Sequence, residues 1–200
     1  MPKFSIIMPA HNAADRMRIA LDSIRRQIYK DYELIVICDA CEDDTAEVAR
    51  EYTDKVLEVS FRNAGPTRSA GLDVATGEWI LFMDDDDWWL HEYVLTQLAD
   101  HLGDEDVLAF GFVWKGRGYT APLRPGGIYW PAVWNKCWRR EAIGTTRFPA
   151  EYPDDLIFHQ RMMRKAPIVK CWDMPLYYYN YWREGSISCK REPDLRFNHG

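Results

Sequence analysis

Residues 79–89 read WILFMDDDDWW, with four consecutive aspartates, Asp84 to Asp87, wedged between an apolar run and two tryptophans. Like charges on neighbouring residues repel, and burial would strip each carboxylate of water, so a counter-charge belongs among them. An isolated acidic run is ordinarily a solvated turn. Here Trp79, Ile80, Leu81, Phe82 and Met83 form a stretch of the kind buried in a parallel sheet, so the acids begin where a core strand emerges. In an extended chain residues i and i+2 project to one side, which would let Asp84 and Asp86 converge while Asp85 faces away as a spacer. Asp87 would then cap the turn or steady the pair. Two converging carboxylates suit a hard divalent cation, Mg²⁺ or Mn²⁺, that completes its shell with phosphate oxygens and water. Such a half-built site wants a diphosphate.

Strand and helix alternate through the first hundred residues. KFSIIMPA, YELIVICD, KVLEVS and EWILFM have the composition of short buried strands. Between them lie a helix striped by Met17, Ala20, Leu21, Ile24 and Ile28, a helix capped by Asp43 or Asp44 and running to about Tyr52, and PTRSAGLDVA, a helix ended at Gly77. A further helix over 91–102 closes the series. This order predicts right-handed crossovers and a mainly parallel sheet, hence an α/β fold with its ligands at the carboxyl ends of the strands. After about residue 104 the pattern changes: DVLAFGFVWKGRGYT predicts one or two antiparallel strands, APLRPGG a loop, and the remainder is irregular up to a helix near 154–165. We expect one domain, with residues 1–103 binding the nucleotide and 104–200 forming a variable substrate side.

Bulk properties narrow the function. The 200 residues are 47% hydrophobic, enough for one sizeable core. A net charge of −6 disfavours sequence-independent nucleic-acid binding, which needs a basic face. No segment approaches the ~18 apolar residues of a membrane span, and the N-terminus lacks a signal-peptide pattern, so a cytoplasmic location is the default, compatible with attachment at the inner face of the membrane. Five cysteines do not suggest a disulfide framework. Cys38 and Cys41 form a C-x-x-C without a second pair or nearby histidines to complete a zinc site. The aromatic content of 14%, including nine Trp and eleven Tyr, supplies flat rings for sugars or bases as well as for the core.

The loop after the first strand, PAHN, has no glycine, which disfavours dinucleotide-binding and P-loop chemistry, and a sugar-nucleotide pyrophosphorylase as well. Phosphatases of the Asp-x-Asp type carry their acids after the first strand, not the fourth.

Taken in order, FSIIMPAHN, QIYKDYELIVICDACEDDT, RNAGPTRSAGLDVATGEWILFMDDDDWW, DDLIF and PLYYYNYWREGSIS resemble the inverting glycosyltransferases of family 2, over nearly the whole chain. The resemblance implies the GT-A, or nucleotide-diphospho-sugar transferase, fold. It implies a base-binding loop at Pro9, His11 and Asn12, a base or ribose contact at Asp39, and Arg68 near the base or diphosphate. Asp84 and Asp86 become the metal pair with Mn²⁺ or Mg²⁺. Asp85 and Trp88 lie beside the donor, and Arg183 and Ser186 sit on a C-terminal loop that closes over the diphosphate. Asp155, with Asp154 as the alternative, becomes the general base. The implied partners are a nucleoside-diphosphate sugar, UDP first, and a glycan or lipid-linked hydroxyl acceptor, many relatives building surface polysaccharide or lipopolysaccharide. A sugar-nucleotide-binding module without catalysis is the non-enzymatic alternative. The chain departs from the family pattern in three places: His11 stands for the usual Tyr, Cys38-Asp39-Ala40-Cys41 for Asp-Asp-Gly-Ser, and Asp154-Asp155 for Glu-Asp. For Trp89, core packing weighs against sugar contact; for WNKCWRRE, a solvated basic turn weighs against an acceptor segment; His159, one turn from Asp155, is read as an ordinary helix residue that could face the site.

Overall fold

Apolar stretches without alternation can be buried on both faces, and the first, second and fourth strands largely are, whereas the short third strand at the sheet edge is only partly buried. The computed structural model describes residues 1–124, 128–165 and 167–181. In chain order the first half contains β1 (Phe4–Ala10), α1 (Met17–Arg25), β2 (Tyr32–Asp39), α2 (Thr45–Arg50), β3 (Val56–Val59), α3 (Ala64–Val74), β4 (Trp79–Phe82), β5 (Trp88–Trp89) and α4 (Val94–His101). The second half adds β6 (Val107–Trp114), β7 (Gly118–Thr120), β8 (Leu123–Arg124), β9 (Ile128–Tyr129), β10 (Lys136–Arg139), α5 (Arg140–Ile143), α6 (Asp154–Met163) and β11 (Val169–Tyr179).

One nine-stranded sheet runs β3-β2-β1-β4-β10-β6-β11-β5, with β7 paired to β6. The β3, β2, β1 and β4 strands are parallel neighbours, with Ile7 opposite both Ile35 and Phe82. Their carboxyl ends therefore emerge side by side, which brings the loops around residues 11, 39 and 84 together. Helix α3 lies directly on β1 and β2: a Cβ on Gly71 would stand 2.5 Å from Ile7 Cγ2 and 2.9 Å from Ile37 Cδ1, so glycine sets how closely the layers approach.

The second half is more regular than its sequence pattern predicts. KCWR, inside the stretch weighed as a solvated basic turn, is the buried antiparallel strand β10, inserted between β4 and β6. The eleven-residue β11 runs parallel to β6, with its irregular register between Trp172 and Tyr177. Both strands owe their place to long-range pairing, which their mixed polar and aromatic composition does not announce. The stripe on α1 also shortens: Met17, Ala20, Leu21 and Ile24 are buried, but the helix ends at Arg25 and Ile28 is 53% exposed, its amide bonded to the Glu92 carbonyl at 2.9 Å. Among the described residues, no helix is long and apolar enough to cross a membrane.

Candidate functional site

The acidic run is a turn, not an extended segment: the Asp87 amide donates to the Asp84 carbonyl at 3.3 Å, and the carboxylates of Asp84, Asp85 and Asp87 go to different partners. The alternation expected for an extended chain therefore does not describe it. Asp84 Oδ1 accepts from Arg68 Nη2 at 2.9 Å. Asp85 is no outward spacer, since its two oxygens accept from Arg16 Nε at 2.9 Å and Arg16 Nη2 at 2.8 Å. Asp87 is buried; it accepts from the Tyr177 hydroxyl at 2.6 Å and the Asn180 amide at 2.8 Å, and the same hydroxyl accepts from the Asp84 amide at 3.2 Å. The partners of Asp84, Asp85 and Asp87 thus come from remote segments.

Arg68 is the hub. Its guanidinium, 7% exposed and projecting from α3, reaches Asp84 on one side and, on the other, Asp154 Oδ2 at 2.8 Å and Asp155 Oδ1 at 3.2 Å, both in the first turn of α6. Two carboxylates at a helix N-terminus are favoured by its exposed amides. Burial pushes Asp155 up to about 7, against the pull of Arg68 and with the push of Asp154 and Asp84. Burial likewise raises Asp84, where Arg68 opposes and Asp86 reinforces the shift, and it raises Asp85 to about 6 despite Arg16. The turn and the start of α6 therefore form one cluster short of positive charge.

Burial would also raise Asp39, but the Thr67 hydroxyl at 2.7 Å and the amides of Arg62 and Asn63, both at 2.8 Å, hold it below the usual carboxylate range. That carboxylate braces the N-terminus of α3, the helix that carries Arg68. Pro9 pairs with Ile37 next to the last residue of β1, Ala10, while His11 and Asn12 are exposed in the loop beyond. His11 Nδ1 lies 2.6 Å from the Asp39 carbonyl, and Asn12, at φ 46°, accepts the Glu42 amide at 2.8 Å. Trp88 stacks on Tyr178 at 4.1 Å between centroids, and Trp89 is buried, its amide on Ser23 Oγ. Arg183 and Ser186 lie outside the described residues.

Three residues of this region are not singled out individually by the sequence: Arg16, Tyr177 and Lys136. The Lys136 ammonium is buried and donates to the carbonyls of Trp130 at 2.6 Å and Ala132 at 2.7 Å and to Asn135 Oδ1 at 2.8 Å. Burial lowers it to about 7 while the charge of Asp155 opposes that shift. Its neighbour His159 is buried, with ring neighbours Tyr129 and Trp138, and burial together with Lys136 lowers it to about 4.

Asp84 and Asp86 are the pair that the sequence pattern offers to a divalent cation. Among the described residues no group of three or more His, Cys, Asp and Glu side chains is arranged around a metal position. A pair of hard carboxylates in an undercompensated acidic turn nonetheless fits Mg²⁺ or Mn²⁺ that draws its remaining ligands from phosphate and water.

Comparison with known proteins bears on the family and the fold. Residues 5–172 match the model of "Glycosyl transferase family 2". The uncharacterized glycosyltransferase YibD of Escherichia coli is 33% identical over 220 residues, covering 93% of this chain and 63% of its own length. Among solved structures, Staphylococcus aureus TarS in complex with UDP-GlcNAc superposes with a TM-score of 0.82 at 24% identity, over 96% of this chain and 62% of that one. A mannosyltransferase of Pyrobaculum calidifontis in complex with GDP-Man and Mn²⁺ superposes with a TM-score of 0.73 at 18% identity, over 92% of this chain and 58% of that one. The sheet is accordingly that of GT-A glycosyltransferases, and the chain spans about 60% of the length of such relatives.

Proposed function

The chain belongs to glycosyl transferase family 2, and from that membership we propose that it transfers a hexose or N-acetylhexosamine, with inversion, from a nucleoside diphosphate, UDP first, to a hydroxyl of a glycan or lipid-linked acceptor. Surface polysaccharide or lipopolysaccharide synthesis is the corresponding pathway class. The observation that carries this proposal is the bridge from Asp84 through Arg68 to Asp154 and Asp155, which ties the diphosphate-facing turn to a carboxylate suited to proton abstraction.

Asp155 is the general base. With its proton affinity near neutrality it is ionised in a useful fraction and still basic enough to take a proton from an attacking hydroxyl, a role ordinarily contributing ~10²–10⁴-fold. Asp154, bonded to Arg68 at 2.8 Å, keeps the first turn of α6 in place. Pro9, His11 and Asn12 line the base side of the donor, Asp39 and Arg68 set the geometry beneath it, and Asp84 and Asp86 hold the cation. When bound, that cation supplies Lewis-acid stabilisation of the departing diphosphate. Residues 104–200 furnish the acceptor side.

A screen of nucleotide sugars for slow hydrolysis and for transfer, in Mn²⁺ and in EDTA, tests the proposal with wild type and Asp155→Asn. The expected result is metal-dependent turnover that the variant loses while it still binds UDP. Undiminished transfer by the variant overturns the base assignment, and full turnover in EDTA overturns the cation.

A further inference from the structure

Arg16 stands at the entrance to α1, 69 residues from its acidic partner, and its guanidinium bridges two loops. Nε and Nη2 form a planar fork on the two oxygens of Asp85, at 2.9 and 2.8 Å. The other edge donates to the His11 carbonyl at 3.0 Å and to the Asn12 carbonyl. The side chains of Arg16 and Asp85 are only 24% and 12% exposed. Since β1 and β4 are adjacent strands, their loops emerge side by side, and one guanidinium closes the gap. Lysine has no such fork and could not bind a carboxylate bidentately while reaching two carbonyls. The clasp extends further: Asn12 holds the Glu42 amide, and His11 meets the Asp39 carbonyl, so the loops after β1, β2 and β4 form one connected rim.

We propose that Arg16 is a positioning residue which locks the base-side loop at His11 and Asn12 to the acidic turn at Asp85, so that the two ends of a nucleoside-diphosphate donor are gripped at a set spacing. This rests on the donor site proposed above. With both oxygens committed to Arg16, Asp85 acts through the clasp and not on the donor itself.

Two measurements separate this role from direct contact with the diphosphate. In a double-mutant cycle on UDP affinity by calorimetry, Arg16→Met and Asp85→Asn each weaken binding by about 10-fold, and the double variant is no weaker than the worse single one. Multiplying losses in the double variant, or full rescue by Arg16→Lys, overturns the clasp. Hydrogen exchange of the nucleotide-free protein reads the loops themselves: either single variant raises exchange in residues 10–16 and 83–88 together, and an unchanged rate in one of these segments overturns the clasp. If wild type binds no UDP while the exchange coupling appears, the donor assignment fails and the clasp stands.

Discussion

Replacing Arg68 by Met removes the counter-charge shared by three carboxylates while keeping the apolar stem. The side chains of Asp84, Asp154 and Asp155 are 26%, 14% and 29% exposed, against 8% for Arg68, so water can take over only part of the compensation. Removing one partner of a buried ion pair costs about 3–5 kcal/mol, and the partial exposure of the acids places this case near the lower end, at about 3 kcal/mol. In a chain of this size each kcal/mol lowers Tm by roughly 2–4 °C, hence a drop of about 6–12 °C. The pH dependence has a definite sign. Asp84 and Asp155 already have folded-state proton affinities above their ordinary values because of burial, and loss of Arg68 raises them further. Groups shifted up destabilise the fold when they ionise, so the deficit grows as pH rises through the folded values and shrinks below them. Urea and thermal unfolding in EDTA, at about pH 8 and about pH 5, should show the larger gap between wild type and Arg68→Met at the higher pH. A gap under about 1 kcal/mol, or one of equal size at both pH values, would refute the hub.

Burial raises the proton affinity of Asp87 and the Tyr177 hydroxyl opposes that shift, so Tyr177→Phe, which leaves Asp87 with only the Asn180 amide, should cost about 1–3 kcal/mol, the loss growing as pH rises; chemical denaturation measures it. Gly65→Ala places a Cβ 1.9 Å from the Pro149 carbonyl oxygen and 3.2 Å from Asp154 Cβ, so the segment leading into α6 must shift. A loss of about 1–3 kcal/mol is expected, with transfer rate falling more than UDP affinity because the base is displaced and the donor loops are not. The acidic limb of the transfer rate should rise through about pH 7, the value to which burial pushes Asp155, since only the ionised carboxylate accepts a proton. A rate independent of pH between about 5 and 8 would contradict that role.

The legibility of the site differs residue by residue. Asp84 stands out because it sits where a core strand ends, a position that local pattern identifies, whereas Asp154 and Asp155 are singled out by the family resemblance, the local pattern giving only the helix they begin. Extended geometry does not place Asp85, because its segment turns, and its partner Arg16 lies 69 residues away, farther in sequence than Arg68 or Arg62. Lys136 lies in a basic stretch that suggests solvent, yet it is buried because β10 is drawn between β4 and β6 and the carbonyls of residues 130 and 132 fold over its ammonium.

Taken alone, the sequence determined the parallel half of the sheet, the order of its helices and the emergence of acids at the carboxyl end of β4, because these follow from apolar runs and 3.6-residue stripes that act over a few residues. It also determined the family, through motifs in a shared register. Only the tertiary structure decided which donor answers which aspartate: Arg16 for Asp85, Arg68 for Asp84 and for the acids of α6, the neutral Tyr177 hydroxyl for Asp87. The reason is that charge compensation depends on distance and burial, and the partners come from segments that sheet topology, not chain proximity, brings within about 3 Å.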